Sequence, residues 1–176
     1  MSTYKEIVTK AVIGKGKKYF KNKYSIDVNN SPSTILGCWI INHNFKGNLS
    51  NNDAIVDGSF DINIWYSTDN DTKTNVLKET INYNETINIK SKIDADLNNS
   101  EIIVKALKQP ECVNVNINGN VIDFEIEKEV GIEVVGDTKV KILTEEDEDE
   151  WQIFDDKLDE EVSKDIDNEV KENFIQ

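Results

Sequence analysis

At 176 residues the chain suits a single domain with a core of ordinary size, and its net charge of −14 is unevenly spread. Residues 145–176 hold 15 acids against 3 lysines, so a nearly neutral stretch, residues 1–144, precedes an acidic segment. That balance and the complete lack of arginine argue against nucleic acid and anionic membranes as partners, since both are held by cationic side chains that displace counterions.

Residues 1–20 carry lysines throughout and no continuous apolar stretch, so no secretion signal is expected. No run approaches the roughly 20 apolar residues of a membrane span, so no direct membrane insertion is expected either. Synthesis and first residence are then cytosolic. The two cysteines, Cys38 and Cys112, do not form a disulfide framework in a chain of this length. They read as two buried thiols, or as a late cross-link made if the surroundings turn oxidising.

In chain order, residues 4–13 fit a helical stripe through Tyr4, Ile7, Val8, Ala11 and Val12, but β-branched content and the Gly14-Lys15-Gly16 break favour a strand. Residues 15–23 contain five lysines and no acid. Their spacing matches no phosphate-binding loop, so Gly14 and Gly16 are read as turn or bulge glycines. A short strand at 24–28 and a loop at 29–32 follow.

Residues 33–45 (STILGCWIINHNF) and 54–66 are apolar, aromatic runs bounded by turn residues, as expected of the central strands of a β core. In the second, Phe60, Ile62, Ile64 and Tyr66 alternate with Asp61 and Asn63, which gives an apolar face and a mostly wet one. Residues 46–53 and 68–74 read as polar turns. Alternation resumes late in 76–89, and 94–100 is a loop. Residues 102–107 form an apolar strand ending before Pro110. Val113, Val115 and Ile117 then alternate with asparagines up to Asn118-Gly119, a strong hairpin signal, and Ile122, Phe124 and Ile126 return beyond it. Residues 130–135 and 139–143 complete the pattern. The prediction is an all-β fold, a β-sandwich or open barrel of about eight antiparallel strands.

The segments KEIVTKAVIGKGKK (5–18), PSTILGCWIINH (32–43), FDINIWYS (60–67), TKT (72–74) and ALKQPEC (106–112) are similar in order and spacing to the outer spore-coat morphogenetic protein CotE family. The likeness covers roughly residues 4–143, and the acidic, Trp-containing C-terminus also resembles that family. The resemblance implies a structural, non-enzymatic scaffold of bacterial endospores. Such a protein forms homo-oligomers and recruits other coat proteins, basement-layer coat proteins included, from the mother-cell cytoplasm onto the coat at the forespore surface. It implies no cofactor. More than twenty asparagines, many isoleucines and lysines and no arginine suit an A/T-rich genome.

His43 is the sole histidine, and a general base would also need a nucleophile and an orienting group, so a packing or hydrogen-bonding role is the default. With one imidazole and two separated thiols a zinc site is not expected. The loop Asp69-Asn70-Asp71 lacks the glycine and terminal glutamate of an EF-hand, so it reads as a solvated turn. Trp39 is expected in the core. Trp65 falls on the wet face with Asp61 and Asn63, which leaves core packing and contact with another sheet, subunit or ligand both open.

Trp65 and Tyr66, with Lys15, Lys17 and Lys18, are therefore the candidate self-association or ligand surface. A non-catalytic carbohydrate-binding module at the spore surface, using Trp65 and Tyr66, is the alternative. In residues 145–176, Trp151, Phe154, Leu158, Val162, Ile166, Val170 and Phe174 recur near one face of a helix, so this segment is expected to be partly helical or disordered. It either docks on its own domain or engages a partner, and its acids would steer it to basic proteins or to residues 15–23 of a neighbouring copy.

Overall fold

The computed structural model describes residues 3–91 and 96–144, and every described element is a strand. In chain order these are β1 (Thr3–Asp27), β2 (Pro32–Ser50), β3 (Asp53–Thr68), β4 (Lys73–Asn88), β5 (Lys90–Ser91), β6 (Glu101–Asn118) and β7 (Val121–Thr144). They form two sheets, ordered β5-β1-β7-β6 and β2-β3-β4. The all-β expectation is met with seven strands, one of them only two residues long.

Contacts divide the chain into two units. The larger, Thr9–Thr138, holds both sheets' central parts. The described part of the other comprises residues 3–8 and 139–144, where Tyr4, Val8 and Leu143 are well exposed.

Alternation builds the core of the larger unit. Ala54, Val56, Phe60, Ile62 and Ile64 of β3 face inward and are fully buried, and β7 answers with Ile122, Phe124, Ile126, Ile132 and Val134. Burying each such Ile or Phe contributes about 1.5–3 kcal/mol, enough to hold strands whose outer faces are asparagine and acid. Tyr24 stacks on Phe124 at 5.4 Å between centroids. Three tight hairpins fix register: Ser50 pairs with Asp53, Thr68 with Lys73, and Asn118 with Val121. The last turns through Gly119 at φ 63°, as the Asn-Gly signal required.

The N-terminal segment is strand, as favoured, and three other expectations change. β1 runs unbroken through Gly14 and Gly16. Gly16 is needed for close approach and makes no turn, because a Cβ there would lie 2.5 Å from the Asn88 carbonyl oxygen. Residues 33–45 are not a central strand, since β2 is hydrogen-bonded only to β3, and no β2 side chain is fully buried. Its other flank packs against β6 of the second sheet, reached through register shifts at Pro32/Ile35, Ile35/Gly37 and Ile41/Asn44. Finally, β6 does not stop before Pro110. The proline is buried where the ladder to β7 is already shifted, a position at which its missing N–H costs no regular bond.

Candidate functional site

The outer face of the three-stranded sheet carries the first candidate surface. Register places Gly37 opposite Trp65, Trp39 opposite Asn63, and Ile41 opposite Asp61. These residues point outward, with Trp39 54% exposed, Ile41 47% and Trp65 41%. The Trp39 indole lies over Gly37, where a Cβ would stand 2.5 Å from its Cη2, so the glycine lets the ring lie along the sheet towards Trp65. Farther along the same face, Asp61 accepts from Asn42 Nδ2 at 2.8 Å and Thr80 Oγ1 at 2.7 Å, and Asp53 accepts from Asn88 Nδ2 at 3.1 Å. Those two hydrogen bonds hold the Asp61 carboxyl below its usual range. The face is thus apolar at one end and closed by a saturated Asn/Asp ladder at the other.

Two sequence expectations fail on this face, for one reason. Neighbouring residues of a strand point to opposite sides, so Tyr66 cannot share a surface with Trp65. Tyr66 is 5% exposed and packs inward, opposite Ile35 and Asn75. Trp39 is not a core residue. It occupies the outward phase of β2, where no described strand covers it.

Lys15, Lys17 and Lys18 of β1 line a cleft of about 1060 Å³ with Lys90, Lys105 and Leu107. Lys18 Nζ donates to the Thr86 carbonyl oxygen at 3.3 Å, and Lys105 Nζ to Glu133 Oε2 at 2.9 Å.

Cys38 of β2 and Cys112 of β6 are half-buried free thiols that the fold brings together across the gap between the sheets. The Cys38 thiol donates to the Cys112 sulfur. That bond raises the pKa of Cys38, with burial adding to it, and lowers that of Cys112.

Between the sheets lies a polar group centred on His43. Its Nδ1–H donates to Gln109 Oε1 at 3.1 Å, and its Nε2 accepts from the Tyr83 hydroxyl at 2.7 Å. Burial lowers the pKa of His43, the Gln109 bond opposes that, and the nearby Lys128 charge adds to the lowering. Burial, then the neighbouring Glu85, pushes Tyr83 up to about 12. Lys128 is 1% exposed, 4.2 Å from the Tyr83 ring centroid and 4.8 Å from that of Phe20, with Nζ 3.2 Å from Glu85 Oε1. Both imidazole nitrogens are therefore occupied by hydrogen-bonded neighbours. Sequence reasoning missed Lys128, although its phase with Phe124, Ile126 and Val130 was the available signal.

Among the described residues no cluster of three or more His, Cys, Asp or Glu could hold a metal ion, and no helix is long and apolar enough to cross a membrane. Asp69 of the turn at 69–71 is paired with Lys73 at 2.8 Å, and Asp71 accepts from Ser67. The stripe Trp151, Phe154, Leu158, Val162, Ile166, Val170 and Phe174 lies outside the described residues.

No curated protein and no solved structure was found to match the chain. Comparison with protein families matches residues 3–176, essentially its whole length, to outer spore coat protein E (CotE). The chain belongs to the outer spore coat protein E (CotE) family, and the place that family implies for it is the spore coat.

Proposed function

We propose that the chain is a morphogenetic scaffold of the outer coat, which associates with copies of itself and recruits other coat proteins. The observation that carries this reading is the outward face of Trp39, Ile41 and Trp65. Large aromatics left half-exposed beside one another on a sheet lose hydrophobic free energy unless a partner covers them. A polar hydrogen-bonded border at Asp61 limits the contact to one end of the face. Residues 145–176 supply the second element, a segment whose alternating acids and apolar side chains suit recruitment of basic coat proteins. On oxidation, Cys38 and Cys112 lock one sheet to the other.

The test is sedimentation velocity and electron microscopy of the purified full chain across a wide concentration range. Assembly that grows with concentration and is lost in Trp39→Ser/Trp65→Ser supports the scaffold. A monomer at every concentration overturns it.

The exposed Trp39 and Trp65, flanked by Asp61 and Asn63, also have the composition of a sugar-stacking platform, so a carbohydrate-binding module is the second reading. A glycan array with Trp65→Ala as control separates the two. Saccharide binding that depends on Trp65, in a chain that stays monomeric, favours the module.

A further inference from the structure

The cleft beside β1 is charged against the grain of the chain. In a protein of net charge −14, five lysines (Lys15, Lys17, Lys18, Lys90 and Lys105) line it with only two acids, Asp53 and Glu133. Both acids are already engaged, Glu133 by Lys105 at 2.9 Å and Asp53 by Asn88 at 3.1 Å. Several lysines elsewhere find carboxylates: Lys21, Lys23, Lys73, Lys108 and Lys128 each have one within 3.5 Å. Lys15, Lys17 and Lys90 form no ion pair or hydrogen bond with any described residue. Lys15 lies close enough to Glu133 only to help lower its pKa, after Lys105.

Register sharpens the contrast. β5 consists of two residues, and its pairing sets Lys90 directly opposite Lys15. Like charges facing each other across an antiparallel pair oppose its formation, so this strand is built around a repulsion that a bound anion would remove. The wall is not purely cationic. Leu107 is 52% exposed and folds over Gly131, whose Cβ would lie 2.9 Å from a leucine methyl, so apolar surface lies among the ammonium groups.

We infer that this cleft binds an acidic peptide with interspersed apolar side chains, and that its occupant is the segment 145–176 of a second copy. That segment has 15 acids, 3 lysines and apolar residues every three or four positions, which matches both the charge and the apolar wall. Nucleic acid fits poorly, because the rest of the chain would repel it. A cleft on one copy and a segment on the next form a head-to-tail contact, which propagates into open arrays and does not close as a dimer would. The inference goes beyond the apolar face proposed above, and uses a different surface.

The experiment mixes full chains grown on light and heavy nitrogen, couples amines to carboxylates with a zero-length carbodiimide, and maps the links by mass spectrometry. Links from Lys15, Lys17 or Lys90 to acids of 145–176, joining one light and one heavy chain and fading by about 0.5 M salt, are expected. In parallel, Lys15→Gln/Lys17→Gln/Lys90→Gln should sediment as smaller species while keeping or raising its urea midpoint, and should bind a labelled 145–176 peptide at least roughly tenfold more weakly. Links confined to single chains, links from these lysines to other acids, or no links overturn the inference. So does an oligonucleotide that binds through these lysines more tightly than the peptide. If the full chain assembles without these links, only the cleft inference fails. If it never assembles, the scaffold reading fails with it.

Discussion

Lys128 of β7 reaches across the interior to Glu85 of β4, Nζ to Oε1 3.2 Å, with the lysine almost wholly out of water. The Tyr83 and Phe20 rings cover the ammonium group, so its charge is balanced by one carboxylate and two aromatic faces. Asn22 Nδ2 also donates to that carboxylate, at 3.3 Å, which ties β1 to the pair.

Removing one partner should therefore cost far more than removing both. Glu85→Ala strands a buried charge and should lower unfolding free energy by about 3–5 kcal/mol in urea denaturation. Lys128→Met with Glu85→Gln replaces the pair by an apolar chain and a neutral amide, and should recover most of that loss. A double variant as unstable as Glu85→Ala would mean that the pair contributes more than charge balance.

Acid sensitivity should come in two windows. Burial places the folded pKa of His43 below its ordinary value of 6.5, so the unfolded chain takes up that proton first. Stability from this group is full above about pH 6.5 and falls as pH drops towards the folded pKa. Glu127, held down to about 2 by hydrogen bonds from Lys108 and then Tyr19, adds a second loss between about pH 4.5 and 2. Urea midpoints measured from pH 8 to 3 should show both. His43→Gln should abolish the first decline and leave the second.

The sequence marked the inward and outward phases of β3 correctly, because strict alternation of Phe60, Asp61, Ile62, Asn63 and Ile64 admits one arrangement only. It also marked the Asn118-Gly119 turn. It failed on β2, whose apolar run looks central but owes its composition to packing against β6 on one flank and leaving Trp39 outside on the other. Bulges at three places break the phase there, and no local signal announces them. The lysine run at 15–23 was legible as a charge feature. Its facing partner Lys90 was not, because pairing across 75 positions is a property of topology.

The thiol pair should respond to oxidation. Diamide takes two electrons from Cys38 and Cys112 as the S–S bond forms and their two protons leave, and is itself reduced to the hydrazine. A bridge closing so long a stretch of chain should raise stability by up to about 4 kcal/mol where the native geometry accepts it. Non-reducing gels should show a faster-moving monomer that dithiothreitol reverses and Cys38→Ser lacks. A cross-linked dimer in place of that band would mean the thiols meet between copies.

Trp65 and Tyr66 are adjacent in sequence and should behave as opposites. Tyr66 fills the core at 5% exposure, so Tyr66→Ala removes a buried ring and should cost about 3–5 kcal/mol. Trp65, 41% exposed and opposite Gly37, has little of its own fold to lose, and Trp65→Ser should change the unfolding free energy in urea denaturation by less than about 1 kcal/mol. The assembly state should reverse the order. Trp65→Ser, more so with Trp39→Ser, should shift the sedimentation profile towards monomer, whereas a conservative Tyr66→Phe should leave it alone. If Trp65→Ser destabilised the fold as much as Tyr66→Ala, the outer face would be packing surface of the monomer, and association would have to be sought elsewhere on the strands.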